Sequence, residues 1–327
     1  MRGVVLRLVL VALAAAGCAA AVPRADLRDG ATGTIGFATQ SPTGPQFVQG
    51  TTTAPAAVIS GELARPRGAG GRVPAVVLIH GSSGIGSKMA VWRQELLGLG
   101  VSTFVVDSFS GRGVRETATD QSRVATAATV VDAYRALALL ATHPAIDPER
   151  IALMGFSKGG MVATSASLLR FYELWGPPGR RFRAHLPFYA SCGIQLLEEA
   201  RVGAPIRIFH GAADDWTPIG PSREYVERLR RAGADAELVE LPGALHGFDV
   251  PSLPGSLYLP AVQNGSACRV VERTPGVFVH AATGSPATTN DPCIGRGATV
   301  GYHPQAQRAA IDGVKAFLRQ TFALSSR

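Results

Sequence analysis

At 327 residues, with 46% hydrophobic and 17% charged residues, the chain can hold one large domain or two small ones and is too apolar to be disordered. Its formal charge of +8 comes from 32 Lys and Arg against 24 Asp and Glu, but the basic residues are scattered, with Arg180, Arg181 and Arg183 the densest cluster. That scatter describes a solvated surface and argues against a nucleic-acid partner.

The chain begins with Arg2 and Arg7 ahead of "LVLVALAAAG" (8–17), an apolar run too short to span a bilayer and followed by small residues. This reads as a secretory signal peptide over residues 1–17. Ala15-Ala16-Gly17-Cys18 is similar to a bacterial lipobox, which would lipidate Cys18. The usual leucine at the first of these positions is missing, so a cut after Ala20 or Ala21 is the alternative. The protein is therefore expected to be exported, periplasmic or held to the membrane only through an N-terminal lipid. Export makes the remaining cysteines informative. Cys268 and Cys293 share one irregular segment and are expected to pair, leaving Cys192 as a buried thiol at a strand end. No C-x-x-C spacing occurs, and no metal or other cofactor is expected.

Residues 18–50 read as a Pro/Gly/Thr-rich lead-in to a domain over 51–325. "AVISGELARP" (57–66) alternates as a partly exposed strand, and "VPAVVLIHG" (73–81) is apolar throughout, as a strand buried on both faces must be. A helix over 87–98, the buried strand "VSTFVVDSF" (101–109) and a helix over 122–142 follow. Further strands are expected at 151–154, 184–190, 205–212 and 236–241. Helices are expected at 158–169, 219–232 and 305–322. Alternating strands and helices predict one α/β domain, a mostly parallel sheet with helices on both faces. Residues 249–304 carry many Pro, Gly, Ser and Thr and little periodicity. A loop of that length is expected to be a lid or binding surface, or else a surface excursion stapled by its disulfide.

The stretch "RIALMGFSKGG" (150–160) carries the chemistry. It passes from strand to helix at Ser157, with Gly155 and Gly159 two residues to either side. Gly-x-Ser-x-Gly at such a turn is the nucleophile elbow, which holds a serine hydroxyl out over the end of a sheet; a glycine-rich turn with a capping serine is the plainer reading. A serine needs a histidine to take its proton and a carboxylate to orient that histidine. Downstream, the 205–212 strand runs into "HGAADDWTP", with Asp214 and Asp215, and the next into "LPGALHGF", with His246. The order Ser, Asp, His, each at a strand end, is that of α/β-hydrolases. The oxyanion hole is expected from the amides of Lys158 and Ser82, with Ser83 an alternative to the latter. Gly81 and Gly86 have P-loop spacing, but Ser87-Lys88 reverses the Lys-Ser/Thr order that motif needs.

"GFSKGG", "FHGAADDWTP" and "ALHGF" resemble three signature segments of the dienelactone hydrolase family of α/β-hydrolases, and "DSFSGRG" (107–113) resembles a fourth. The likeness covers about residues 55–248 and the final helix. It implies Ser157 as nucleophile, Asp214 as acid and His246 as base, with Asp214 preferred to Asp215 by its place between Gly211 and Pro218. The enzymes that name the family carry a cysteine nucleophile supported by a glutamate after the early buried strand. Here Ser157 and His80 hold those places, so the resemblance implies a serine ester hydrolase rather than an enzyme for dienelactone.

Trp216 and Phe248 flank the acid and base and are expected to wall the substrate pocket, though core packing explains them nearly as well. His80 and Arg112 are weaker pocket candidates; a strand-end histidine such as His80 or His210 is more often structural, and Arg112 more often pairs with a carboxylate or carbonyl. Asn264-Gly-Ser266 is a glycosylation sequon by letter only. The expected activity is hydrolysis of a small-molecule carboxylic ester through an acyl-enzyme. The alternatives are a peptidase or amidase on the same fold, or a lipoprotein binding module without turnover.

Overall fold

The computed structural model describes residues 22–288 and 291–324. The expected leader and Cys18 lie outside the described residues. In chain order the elements are β1 (Gly33–Thr39), α1 (Gly44–Val48), β2 (Ala57–Ala64), β3 (Val73–Ile79), α2 (Ser87–Gly98), β4 (Ser102–Asp107), α3 (Thr126–Leu140), β5 (Ile146–Phe156), α4 (Lys158–Ala166) and α5 (Leu169–Trp175). They continue with β6 (His185–Phe188), β7 (Ile194–Gln195), β8 (Ile206–Gly211), α6 (Ile219–Arg231), β9 (Ala236–Leu241), β10 (Leu257–Asn264), β11 (Val270–Thr274), β12 (Val277–His280), β13 (Gly295–Val300) and α7 (Pro304–Phe322).

Eight strands form the main sheet in the order β1-β2-β4-β3-β5-β6-β8-β9. The pairs β1/β2 and β2/β4 are antiparallel, and every pair from β4/β3 to β8/β9 is parallel. The apolar run of β3 divides between two cores because successive side chains leave a strand on opposite faces. Ala75, Val77 and Ile79 join the core under α3 and α4, while Val76 and Leu78 join the one under α2 and α7. β5 does the same, with Ile151 and Leu153 on the first side and Ala152 and Met154 on the second. This is the α/β-hydrolase architecture, and its parallel strands all end on one edge, where loops collect.

The structure holds elements that the sequence expectations lack. β1 and α1 lie inside the stretch read as a lead-in. β1 buries Ile35, Gly36 and Phe37 between the exposed Thr34 and Ala38 and pairs with β2 along its whole length, as an edge strand. α1 starts at a capping box, Thr43 with Gln46, which the Pro- and Gly-rich surroundings obscure. Residues 249–304 also contain four strands. β10 pairs with β13, and the β11–β12 hairpin adds to β7 in a second small sheet. Ribbons this small bury little, so alternation is weak: in β10 only Val262 is buried. Cys268 and Cys293 are disulfide-bonded, and Cys192 is free. Among the described residues no helix is long and apolar enough to cross a membrane.

Arg112 fastens the edge of the sheet. Its guanidinium makes two hydrogen bonds to Asp132 of α3, at 2.7 and 2.8 Å, and others to the carbonyls of Ser108 and Gln40 and to Ser41 Oγ. Asp132 is fully buried and also accepts from Thr39 Oγ1 at 2.7 Å. Arg112 is thus a structural tie between β1, β4 and α3, not a substrate-binding group, and Asp107 is not its partner. Removing one member of such a pair leaves a buried charge uncompensated. Asp132→Ala is expected to cost about 3–5 kcal/mol, read from urea unfolding; a loss well under that range contradicts the tie.

Candidate active site

Ser157 stands between β5 and α4 with φ 55° and ψ −114°, a conformation a side-chain-bearing residue seldom adopts. Bare glycines make the turn possible. A Cβ at Gly155 would fall 1.9 Å from the Gly159 carbonyl oxygen, and one at Gly159 would fall 2.3 Å from that of Ile79. The serine amide donates to Phe188 O at 2.9 Å, and its carbonyl accepts from Met161 N at 3.0 Å. Held at both sides, the turn leaves Oγ aimed at His246, with Oγ and Nε2 2.9 Å apart.

His246 follows β9, and its Nδ1 lies 2.8 Å from Asp214 Oδ2. Asp214 follows β8 and is itself held on both oxygens. Oδ1 accepts from Trp216 N at 2.9 Å and Thr217 N at 2.8 Å, while Oδ2 lies 2.9 Å from Thr217 Oγ1. Burial alone would raise the carboxyl pKa, but the facing His246, the hydrogen bond to it, His210 and Thr217 together hold it below the ordinary carboxylate value. An ionised Asp214 makes Nδ1 the protonated nitrogen, which leaves Nε2 as an acceptor for the serine proton. The imidazole is packed edge-on by Tyr189 at 4.7 Å between centroids and tilted against Trp216 at 4.8 Å. Such a line can move a proton away from the serine hydroxyl.

The amide of Lys158 opens α4, where no intrahelical acceptor exists. Among the described residues neither it nor the amide of Ser82 donates to a protein acceptor. The loop after β3 abuts the serine: a Cβ on Gly81 would come within 3.3 Å of Ser157 Cβ. The Lys158 side chain is buried and reaches Gln121 O at 3.1 Å, Gln121 Oε1 at 3.2 Å and Thr117 Oγ1 at 3.4 Å. Among the described residues no carboxylate bonds to it, and burial, opposed only in part by the charge of Asp120, brings its pKa down to about 8. The Gln121 side chain also bonds Ser82 Oγ, at 2.9 Å from its Nε2.

The other candidates separate. Trp216 stands partly exposed beside His246, and its Nε1 donates to Gln263 O at 2.9 Å. Phe248 does not wall a pocket: it is fully buried, its ring 5.4 Å from Tyr189 and 6.1 Å from Phe188, because the chain turns into the core directly after His246. His80 is structural as well, with Nδ1 2.8 Å from Gly81 O and Nε2 accepting from Ser108 N at 3.2 Å, and burial lowers its pKa. His210 sits behind Asp214, with Nε2 2.6 Å from Thr217 O and Nδ1 3.0 Å from Ser222 Oγ. Asp215 is exposed and accepts from Thr299 N at 2.8 Å, pinning the 249–304 segment rather than the imidazole. Thr217, Tyr189 and Gln121 are absent from the sequence reading. Thr217 had a signal, since Asp214-x-x-Thr217 before Pro218 is an Asx-turn pattern; Gln121 had none.

Residues 59–282 match the dienelactone hydrolase family. An uncharacterized protein of Mycobacterium tuberculosis is 29% identical over 218 residues, 61% of this chain and 71% of that protein. Among solved structures, a putative dienelactone hydrolase from Klebsiella pneumoniae is similar with a TM-score of 0.55 at 17% identity, over 88% of this chain and 99% of its own. Thermogutta terrifontis esterase 2 phosphorylated by paraoxon is similar at 0.52 and 18% identity, over 82% of this chain and 91% of its own. At identities this low the two structures establish the fold.

The buried Lys158 yields a test of its environment. Its folded pKa of about 8 lies below the ordinary 10.5, so the folded protein binds its proton less tightly than the unfolded chain does. The charged form costs stability below about pH 8, and that cost is relieved as pH rises from about 8 to 10.5. Lys158→Met should therefore gain most over wild type at pH 7, with the gain shrinking toward pH 10 in urea titrations. A gain independent of pH contradicts the assignment.

Proposed function

The chain belongs to the dienelactone hydrolase family and is a hydrolase, and we propose that it is an exported serine carboxylic-ester hydrolase working through an acyl-enzyme. The observation that carries this reading is the unbroken line from Ser157 Oγ to His246 Nε2 at 2.9 Å and from Nδ1 to Asp214 at 2.8 Å. Ser157 Oγ attacks the ester carbonyl carbon as Nε2 takes its proton, and Asp214 holds the imidazolium that results. The carbonyl oxygen, now negative, is received by the amides of Lys158 and Ser82. When the intermediate collapses, the alkoxide takes the proton from His246 and leaves as the alcohol. Water, deprotonated by the same nitrogen, then attacks the acyl carbon, and the acid departs as Ser157 regains its proton. No step calls for a metal or other cofactor.

Two features support the finer parts. The similarity to a structure called an esterase suits ester hydrolysis. The charged start and apolar run of residues 1–17, together with the Cys268–Cys293 disulfide, suit an oxidising compartment reached by export. Attachment through Cys18 would place the protein on a membrane surface rather than across it.

Ser157→Ala is expected to fold normally and to lose kcat on p-nitrophenyl esters by a factor on the order of 10⁶. Wild-type protein should be phosphorylated once by an organophosphate such as paraoxon, at Ser157 by mass spectrometry. Near-wild-type turnover by the alanine variant rules out this nucleophile. Asp214→Asn should cost roughly 10⁴-fold in kcat by favouring the wrong imidazole tautomer, whereas Asp215→Asn should cost little. The reverse ranking would give the orienting role to Asp215.

A further inference from the structure

Met161, Thr164 and Ser165 follow Ser157 at positions +4, +7 and +8, so one face of α4 continues downward from the serine. They are only half-buried, although Val162, Ala163 and Ala166 on the other side of the same helix are buried. That face fronts a cavity of about 190 Å³. Ala127 and Val130 of α3 form its opposite wall, and Leu168 and Phe47 lie in its lining. Its roof comes from outside the main sheet: Ile194 of β7 and Phe278 of β12. Arg170 of α5 anchors this roof by bonds of 2.7 and 3.0 Å to Glu272 of β11, a carboxylate buried in the small sheet.

The cavity is mostly apolar, with the hydroxyls of Thr126, Thr164, Ser165, Ser191 and Tyr225 among its lining residues. Its one charged lining residue, Glu199, is ion-paired with Arg228. The Cys192 thiol on its wall is kept neutral, because burial pushes its pKa up to about 11. The Thr164 hydroxyl donates back to Met161 O at 2.9 Å within its own helix. An apolar cavity of about 150 Å³ stays dry and takes benzene, so this one admits a somewhat larger apolar group.

We propose that this cavity binds the acyl chain of the ester, and that the substrates are esters of medium-length fatty acids. The assignment rests on Ser157 being the nucleophile. The departing alkoxide must take its proton from His246 and so lies on the imidazole side of the serine, toward Trp216. None of Ser157, His246, Asp214 and Trp216 lines the cavity itself; its link to the site is the α4 face that starts at Ser157 and lines it with Met161, Thr164 and Ser165. That face leads from the serine into the cavity, so the half of the substrate that follows it is the half that stays on Ser157 Oγ, the acyl group. Met161 stands one helical turn from Ser157, about 6 Å along the axis, and its flexible thioether is suited to gate the passage.

The test compares p-nitrophenyl acetate and octanoate on wild type and on Ala127→Trp and Thr164→Trp, which fill the cavity from opposite walls and are checked for folding by circular dichroism. Wild type should favour octanoate, and in both variants the octanoate-to-acetate ratio of kcat/KM should fall about tenfold or more. Calorimetry should show octanoate binding to Ser157→Ala, and losing that binding when Ala127→Trp is added. Folded variants with the wild-type ratio, together with no octanoate binding to Ser157→Ala, overturn the acyl cavity and leave the esterase reading standing. A wild-type protein that hydrolyses neither ester overturns the nucleophile assignment, and this one with it.

Discussion

The positive φ of Ser157 is the constraint on which the rest depends. A strand that becomes a helix within one residue cannot keep both its direction and an ordinary backbone conformation, so the strain collects at the turn, at a cost of roughly 1–3 kcal/mol. The surroundings must over-determine it. β5 contributes by lying mid-sheet between β3 and β6, and α4 by the close approach of Gly159 to Ile79 and of Gly160 to Phe188. Every neighbour that makes the turn possible also fixes where Oγ points.

The partners of that hydroxyl arrive by the same logic. Parallel strands end on one edge, so the loops after β8 and β9 bring Asp214 and His246 to Ser157 without any special device. What is special is the second tier. Thr217 holds Asp214 through its amide, and its hydroxyl, with one proton to give, stands between Asp214 Oδ2 at 2.9 Å and Tyr189 O, next to β6, at 3.0 Å. Acid, imidazole and the neighbouring strand are thereby one hydrogen-bonded unit.

The 249–304 segment is wired into that unit rather than laid over it. Gly301 N donates to His246 O, Trp216 Nε1 to Gln263 O, Thr299 N to Asp215, and Gln121 N to Gln263 Oε1. Its far side, through Glu272 and Arg170, roofs the apolar cavity beside α4. One segment therefore touches the loops carrying the acid and base at one end and the cavity at the other. The disulfide joins Cys268 and Cys293 between its two small sheets.

The sequence by itself determined the alternation of strands and helices and the order of Ser157, Asp214 and His246, since both depend on local pattern: apolar runs, glycine spacing and residues at strand ends. It also indicated the Cys268–Cys293 pairing. What only the tertiary structure decided depends on contacts between distant segments. β1 reads as a loop until β2 supplies its hydrogen bonds, and the strands of the insertion are too exposed to alternate. Phe248 looks like a pocket residue beside His246 until the chain is seen to turn inward. Arg112, Thr217 and Gln121 acquire their roles only from what folds against them, because a polar side chain carries no mark in the sequence of the group it will bond.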